Sequence, residues 1–397
     1  MRLIVILILA AFWSEPILAQ RVEYTLNMRM DGRHELFTGD STHIWGFIEI
    51  GGFGSEEKLL LPSPTLTATV GDSVIVKVVN VSDEGHTIHW HGLDVDQEND
   101  GVPHTSDFVL TGDTFTYRFK ATHAGNFIYH CHVTTTLHLM MGMYGSFIVY
   151  SNQPDEIYPG GPRFDRQYDF LGSELDKALN DDFMTGGMPY SDEKRHFLLN
   201  GLQKQQLYEA SKNRIELHKG ERVLLRLINI GFDVNDYHFP EAVQAIVYTS
   251  DGRPLPEPFE TVNLQLYPGE RYSVIIETDE DDFKGNIVVN YLKMYRLQYA
   301  ETNHIGINND VYPVYIGEQA DSRNTGLHIF PNPAINRITV QGLSQDVRSV
   351  QVFDTKGAQY LLPINKAGEV DVSRLKSGFY LMRASGSSSL SGKFIKR

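Results

Sequence analysis

The sequence predicts an all-β protein built from more than one β-sandwich domain. Glycine (34 residues), tyrosine (20) and phenylalanine (21) are abundant, as is common in proteins made of short strands and turns. The stretches 73–79, 115–119 and 146–149 are strand-like, because each is apolar or alternates with period two. At 397 residues, the chain is long enough for two or three domains with hydrophobic cores.

Composition and charge exclude one broad class of partner. Hydrophobic residues make up 41% of the chain and charged residues 21%, which fits a soluble globular protein. The formal net charge is −15 at pH 7, whereas a nucleic-acid-binding surface needs a basic footprint. We therefore expect no nucleic-acid partner.

The N-terminus predicts export from the cytoplasm. Arg2 precedes the apolar run Leu3–Trp13, and small Ala19 ends the segment, which is the pattern of a secretory signal peptide at 1–19. A membrane anchor is the alternative, but the apolar run is too short to span a bilayer.

Changes in composition divide the rest of the chain into three blocks. Polar stretches, the first of them rich in glycine and proline, separate the blocks and are predicted linkers. The predicted organisation is a first domain at 20–150, a linker at 151–162, a second domain at 163–315, a linker at 316–325 and a C-terminal domain at 326–397.

Two segments of the first block concentrate the side chains that copper prefers as ligands. Cys131 is the only cysteine in the chain, and its neighbours favour a metal ligand over a buried inert residue or a reactive nucleophile. An isolated histidine is more often an ordinary polar residue, but a dense cluster predicts metal binding. The cluster consists of His86, His89, His91, His130, Cys131, His132, His138 and Met143.

Strand geometry sorts these side chains into two sites. Side chains alternate between the two faces of a strand, so His130 and His132 share one face and Cys131 points to the other. By the same rule, His89 and His91 share a face that His86 does not. If the two strands are neighbours, His86 and Cys131 lie on one side and four imidazoles lie on the other.

The first site predicts a blue-copper centre. A thiolate and two imidazoles in a plane with a weak axial thioether form a type 1 copper site. Cys131, His86 and His138 are the predicted plane, and Met143 is the predicted axial ligand. Met140 and Met141 are weaker candidates for the axial position. A zinc site is less favoured, because structural zinc sites rarely use methionine.

The motifs His86-x-x-His89-x-His91-Gly92 and His130-Cys131-His132 resemble the copper motifs of multicopper oxidases. The resemblance implies that His89 binds type 2 copper. It also implies type 3 copper ligands, which would be His91, His130 and His132. Asp100-Gly101-Val102-Pro103 is similar to the family as well, which makes Asp100 a candidate for proton delivery. A solvated acidic loop is the alternative interpretation of Asp100.

The second block resembles the middle domain of the same family. Its matching segments are Leu225–Asn229, Asp251–Pro254 and Pro268–Tyr272, and the whole resemblance extends over about 22–312. It implies two cupredoxin-like Greek-key β-sandwich domains.

Two departures from the family pattern concern the copper ligands. The interval from Cys131 to His138 is two residues longer than is usual in the family, and a longer loop also occurs in copper nitrite reductases. A trinuclear copper cluster needs eight histidines, and the first block supplies four. The second block contains only unpaired histidines, and one of these, His238, is most simply a loop residue. The four are His196, His218, His238 and His304.

Three arrangements could complete the second site. Two first domains could meet across a two-fold axis, or the cluster could be smaller than trinuclear. A mononuclear type 2 site could instead form from His91, His130 and a histidine of a neighbouring subunit, as in nitrite reductases. Against this last arrangement, the nitrite reductase pattern has an aspartate where this chain has His89. A homo-oligomer is therefore expected.

The C-terminal block resembles the sorting domain of proteins exported by type IX secretion. The similar segments, in order, are Phe330–Pro333, Val352–Asp354, Asp371–Leu375, Gly378–Leu381 and Lys393–Lys396. The resemblance implies that the type IX secretion machinery is a partner, and that the protein is secreted or held at the cell surface. A small carbohydrate-binding or structural sandwich is the alternative.

Together, these features predict a secreted copper oxidoreductase. It would oxidise a reducing substrate at type 1 copper and reduce dioxygen at the histidine-bound copper of type 2, type 3 or both. Nitrite reduction at a mononuclear copper is the alternative reaction. A copper-binding electron-transfer protein without catalytic activity is the alternative class.

Overall fold

The structure, a computed structural model, describes residues 19–51, 58–182, 195–294, 298–310, 328–330, 334–341, 347–354, 358–365, 367–384 and 391–396. The chain divides into two compact units, Met1–Tyr312 and Pro313–Arg397. Strands dominate both units, which confirms the predicted all-β class. The predicted signal peptide lies outside the described residues except for Ala19, and the predicted linker at 316–325 lies wholly outside them.

The first half of the larger unit is a sandwich of two four-stranded sheets. Its strands and one helix are β1 (Arg21–Glu35), β2 (Ser41–Glu49), β3 (Ser63–Thr69), β4 (Ser73–Asn80), β5 (His89–His91), β6 (Thr114–Lys120), β7 (Gly125–His130), α1 (Thr135–Met141) and β8 (Tyr144–Tyr150). The sheet orders are β2-β1-β4-β6 and β3-β8-β7-β5. Every second residue of β4 is buried, as its apolar alternation predicts.

The second half of this unit is a larger sandwich. Its elements are β9 (Arg166–Asp176), α2 (Lys177–Asp181), β10 (Arg195–Leu199), α3 (Gln205–Glu209), a 3-10 turn (Ser211–Asn213), β11 (Val223–Asn229), β12 (Val234–His238), β13 (Gln244–Ser250), β14 (Arg253–Glu260), β15 (Asn263–Leu266), β16 (Arg271–Glu277), β17 (Gly285–Lys293) and β18 (Gln298–Ile307). Its sheet orders are β10-β9-β11-β16-β13-β14 and β15-β12-β17-β18.

The two sandwiches share one strand-pairing pattern. In the first, β4 pairs in parallel with β1 and antiparallel with β6. In the second, β11 pairs in parallel with β9 and antiparallel with β16. The row β5-β7-β8 likewise recurs as β12-β17-β18. This repeated topology confirms the prediction of two cupredoxin-like sandwiches.

Aromatic packing in the first sandwich determines the orientation of β5. Trp90, in the middle of that strand, is fully buried and packs edge-on against Tyr117 and Phe147, with ring centroids 5.6 and 5.8 Å away. Because neighbouring side chains on a strand point to opposite faces, His89 and His91 lie on the face away from this core.

A buried asparagine joins the two sandwiches. The side chain of Asn126, on β7, donates hydrogen bonds to the carbonyl oxygens of Leu227 (3.3 Å) and Tyr272 (3.2 Å). Its side-chain oxygen accepts a hydrogen bond of 3.0 Å from the hydroxyl of Ser273. These bonds satisfy the buried amide and hold β16 of the second sandwich against β7.

The smaller unit is a compact β-sandwich. Its strands are β19 (His328–Phe330), β20 (Arg337–Gln341), β21 (Ser349–Asp354), β22 (Gln359–Pro363), β23 (Glu369–Asp371), β24 (Gly378–Ala384) and β25 (Ser391–Lys396). They form sheets of order β19-β20-β23 and β22-β21-β24-β25 around a core that includes Ile338, Val352 and Phe394. Within the described part of the chain, none of the helices has the length and apolar character needed to cross a bilayer.

We predict that Gly101→Ala destabilises the first sandwich strongly. Gly101 has φ +73°, and an added Cβ would overlap the backbone of Ile88, directly before β5. Backbone strain and overlap together should lower the free energy of unfolding by about 2–4 kcal/mol. The matched control is Gly112→Ala, because Gly112 has φ +83° and open space around it, so only strain of about 1–2 kcal/mol applies. Equal urea midpoints for the two variants would contradict the overlap with Ile88.

Candidate metal centre

Three buried side chains form the first group of potential ligands, Cys131, His86 and His138. Cys131 directly follows β7, His86 pairs with Val109 in a single bridge just before β5, and His138 lies on α1. The sulfur of Cys131 lies 3.1 Å from Nδ1 of His138 and 3.7 Å from Nδ1 of His86. The three residues predicted as the plane of a type 1 site are therefore in contact.

These separations suit a bound first-row metal ion. With metal–sulfur and metal–nitrogen distances of about 2.3 and 2.0 Å, a trigonal plane separates sulfur from nitrogen by about 3.7 Å. The separation between His86 and Cys131 matches this value, and that between His138 and Cys131 is somewhat shorter. One thiolate and two imidazoles are a donor set that copper favours.

Met143, the predicted axial ligand, is fully buried and lies just beyond α1. Its backbone N–H donates to the carbonyl of His138 (2.9 Å), and its carbonyl accepts from the N–H of Cys131 (3.0 Å). Met140 and Met141 are also buried, but they belong to α1 itself. The backbone bonds therefore tie Met143 directly to two members of the first group.

Burial determines the protonation of this group. It raises the pKa of Cys131 to about 12, and it lowers the pKa of His86 to about 4 and that of His138 to about 3. At neutral pH both imidazoles are therefore uncharged and can bind a cation. Without a cation the sulfur remains a thiol, and a thiol with such a high pKa is a poor nucleophile. A bound cation would stabilise the thiolate.

The other nitrogen of His138 contacts an acidic side chain that sequence analysis missed. Nε2 of His138 lies 3.0 Å from Oε1 of Glu84. The His138 side chain is only 1% exposed, whereas that of Glu84 is 45% exposed. Glu84 therefore connects the buried ring to the surface. Its place two residues before His86 gives no sequence signal, because the contact depends on how the loop packs against α1.

Four imidazoles form the second group, on the opposite face of the sheet. His89 lies directly opposite His130 in the antiparallel pairing of β5 with β7. Nδ1 of His91 lies 3.4 Å from Nε2 of His130, close to the 3.3 Å expected for two nitrogens bound to one tetrahedral ion at about 2.0 Å. His89, His91 and His130 each place one ring nitrogen within 4.8 Å of the others.

Hydrogen bonds leave one ring nitrogen available on two of these histidines. Nδ1 of His89 lies 2.8 Å from the carbonyl oxygen of Asp100 and 3.3 Å from its carboxylate. Nδ1 of His130 lies 2.9 Å from the carbonyl oxygen of Cys131. These partners orient the rings with Nε2 as the remaining nitrogen for a metal, which is how outer groups usually hold a metal-binding histidine.

His132 completes the group from the loop after β7. Its ring centroid lies 5.2 Å from that of His89 and 5.9 Å from that of His130. Its backbone N–H donates to the hydroxyl of Thr87 (3.3 Å). The four predicted imidazoles are therefore neighbours. Because Cys131 lies between His130 and His132, the chain itself joins the two groups.

A turn of the second sandwich covers the second group. A Cβ added at Gly269 would lie 3.2 Å from a ring carbon of His91, and one added at Gly92 would overlap the guanidinium of Arg271. Arg271 is buried and donates to Asp251 (3.0 Å) and to the carbonyl of Gly269 (2.7 Å). Burial first, and then the charge of Arg271, lower the pKa of His91 to about 4.

The second sandwich adds no histidine to either group among the residues that the structure describes. His196 lies on β10, His218 is in an exposed turn, and His304 lies on β18. The interpretation of His238 as a loop residue is wrong, because it is the last residue of β12 and pairs with Val288. β12 has only five residues and few apolar side chains, so its sequence did not indicate a strand. Pairing with β15 and β17 makes it one.

Two sandwiches of this topology, one of which holds a Cys–His–His group, define a protein of the cupredoxin class. The chain also matches two family models, both described as multicopper oxidase, at residues 60–154 and 173–309. It belongs to the multicopper oxidase family.

Named relatives and a solved structure agree with this assignment. The chain is 31% identical over 242 residues to Laccase-2 of Botryotinia fuckeliana, which covers 55% of this chain and 39% of that protein. It is 28% identical over 232 residues to Laccase-6 of Arabidopsis thaliana, with the same two shares. The chain thus spans about two fifths of these relatives. The blue copper oxidase from Nitrosomonas europaea matches with a TM-score of 0.60 and 28% identity, over 75% of this chain and 89% of that one.

The smaller unit has a match of its own. Residues 328–397 match a family model described as a secretion system C-terminal sorting domain. This match confirms the predicted export domain, and the protein is secreted or attached to the cell surface.

We predict that the metal-free protein loses stability as the pH falls from about 6.5 to about 4. Burial lowers the pKa of His86 and His91 to about 4 and that of His130 and His138 to about 3. An unfolded histidine titrates near 6.5, so in this interval the unfolded state binds more protons and unfolding becomes easier. Each histidine contributes at most about 1.4 kcal/mol per pH unit. Urea midpoints of the metal-free protein that stay constant over this interval would contradict the lowered pKa values.

Proposed function

We propose that the protein is an exported copper oxidase that takes electrons from a reducing substrate and delivers them to dioxygen. The first group would hold type 1 copper through Cys131, His86 and His138, with Met143 as the axial ligand. The second would hold type 2 or type 3 copper, or both, through His89, His91, His130 and His132. One observation carries this proposal. The two groups lie on opposite faces of one strand pair and are joined through Cys131.

Copper in these sites would supply chemistry that side chains lack, because it accepts single electrons and stabilises bound oxygen species. The chain holds the donors in place before any ion binds. Asp100 and the carbonyl of Cys131 orient two imidazoles, and the helix α1 brings His138 onto the sulfur. Fixed donors of this kind favour fast electron transfer, since little has to move when the charge changes.

The reducing substrate would bind near Glu84. The carboxylate is 45% exposed and contacts His138, so it connects solvent with the first group. Phe108 and Leu110 are exposed apolar side chains, and both lie next to Gly85. This surface supports binding of a small reductant that has an apolar body and a polar or positively charged group for Glu84.

Asp100 would supply protons on the dioxygen side. Its carboxylate lies 3.3 Å from Nδ1 of His89, and its side chain is partly exposed. It can therefore exchange protons with solvent while it contacts the second group. This supports the role that the family resemblance implies for Asp100.

The number of imidazoles in the second group favours a copper site that is shared between two copies of the chain or that holds fewer than three ions. The described residues bring four imidazoles together, whereas a trinuclear cluster needs eight. We propose that another copy of the chain contributes further ligands, or that the site holds fewer ions. The same shortage is the specific observation that supports nitrite reduction as a second candidate reaction.

We predict that Cys131→Ser abolishes the intense blue colour of the copper-loaded protein, because a serine oxygen cannot replace the thiolate. The copper bound by the second group should remain. Copper counting and electron paramagnetic resonance would measure both effects. The control is His43→Gln, which changes a histidine outside both groups and should keep the colour. A Cys131→Ser protein that stays blue would refute the type 1 assignment.

We also predict that His89→Gln stops dioxygen uptake but leaves the blue colour unchanged. His89 belongs only to the second group, so substrate should still reduce the first group while electrons fail to reach dioxygen. Oxygen uptake and nitrite consumption would be measured side by side with a phenolic or cuprous donor. Consumption of nitrite but not dioxygen by the parent would favour a nitrite reductase. If fully copper-loaded parent consumes neither, the protein is an electron carrier and the oxidase proposal fails.

A further inference from the structure

The second sandwich carries polar side chains at the positions that hold imidazoles in the first. Strands β7 and β17 both begin with the dipeptide Gly-Asn, so Gly125 and Gly285 can be used to align the two sandwiches. His91 pairs with the third residue after Gly125, and His238 pairs with the third residue after Gly285. Two residues earlier on β5 and β12, His89 and Asp236 therefore occupy equivalent positions.

The same register extends to the partner strands. His130 lies opposite His89, and Asn290 lies opposite Asp236. Tyr237, between Asp236 and His238, belongs to the hydrophobic core, so its two neighbours point to the other face of the sheet. In the second sandwich, the carboxylate of Asp236 and the imidazole of His238 therefore lie on the sheet face that corresponds to the face of the second group.

Three of its side chains converge on one point. Oδ2 of Asp236 lies 3.0 Å from Nε2 of His238 and accepts a hydrogen bond of 2.7 Å from the hydroxyl of Tyr299. Oδ1 of Asp236 is buried and has no hydrogen-bond partner among the described residues. A buried carboxylate oxygen without a partner is costly, so a cation bound to this carboxylate would stabilise it.

The cluster is also accessible. Asp236 is 1% exposed, but the side chain of His238 is 23% exposed, so the imidazole reaches solvent. Ligands at right angles on an ion with bond lengths of about 2.0 Å lie about 2.8 Å apart. Nε2 of His238 and Oδ2 of Asp236 are 3.0 Å apart, within hydrogen-bond distance and also close to this value. Nitrogen and oxygen donors at right angles are the arrangement that Cu²⁺ prefers, and Cu²⁺ binds such donors more tightly than other divalent first-row ions.

We propose that Asp236 and His238 form a separate Cu²⁺ site in the second sandwich, with water as the remaining ligand and Tyr299 as the residue that orients Asp236. The ion would bind the carboxylate of Asp236 and Nε2 of His238. The hydroxyl of Tyr299 keeps the carboxylate in place from outside the ligand set. This site is independent of the ligands proposed for the first sandwich.

Copper binding to the full-length chain tests this site. The variants are His238→Gln and Asp236→Asn, and the matched control is His218→Gln, which removes an exposed histidine of the same sandwich. Parent and control should each bind one Cu²⁺ per chain more than either variant, by titration calorimetry. In both variants, the electron paramagnetic resonance spectrum should also lack one tetragonal Cu²⁺ signal, which is not associated with blue colour.

Equal copper content and identical spectra in the parent and His238→Gln would overturn the proposal. Asp236→Asn could unfold the sandwich, so thermal melting is recorded, and His238→Gln decides the result in that case. Tyr299→Phe should weaken Cu²⁺ binding about tenfold to a hundredfold without removing the site. Failure of this site is distinguishable from failure of the proposed oxidase, because the Cys131→Ser and His89→Gln variants should keep the tetragonal signal of the Asp236 and His238 site.

Discussion

Both groups of potential ligands in the first sandwich depend on the antiparallel pairing of His89 with His130. This register points the imidazoles to one face and Trp90 into the aromatic core on the other. A slip of one residue would bury histidines in that core and expose tryptophan, so the hydrophobic effect strongly disfavours it. The packing of Trp90 therefore stabilises the geometry of these potential ligands.

The groups also share an electrostatic constraint. Burial lowers the pKa of four of these histidines and raises that of the Cys131 sulfur, so the four imidazoles stay neutral and the sulfur stays protonated. The four are His86, His91, His130 and His138. A cation changes that balance, since it favours the thiolate and binds the free nitrogen lone pairs. The folded chain thus presents a preformed set of potential donors whose charge a bound ion would complete. The Arg271 charge beside His91 acts in the same direction, because it disfavours protonation of that ring.

One topology carries different polar side chains in the two sandwiches. The first places His89 opposite His130, and the second places Asp236 opposite Asn290 at the corresponding register. The backbone frame is common to both, so the difference lies in the side chains that it carries. The second sandwich also contributes to the first through Gly269 and Arg271, which cover His91. Contact between the sandwiches is therefore part of the candidate metal centre as well as of the fold.

Much of this arrangement could be predicted from the sequence, because it depends on local rules. Strand alternation separates Cys131 from His130 and His132, and the residue types themselves indicate copper. Pairing patterns and the matched family models then agree with the all-β class and the C-terminal export domain.

The sequence alone determined which side chains share a face, since that follows from the period of a strand. Only the tertiary structure decided which distant residues contact them. Glu84 meets His138, and the turn at Gly269 covers His91, because loops and domains pack in three dimensions. His238 likewise became a strand residue through pairing with β17, which its own short segment does not encode. Such contacts join residues far apart in the chain, so no local pattern records them.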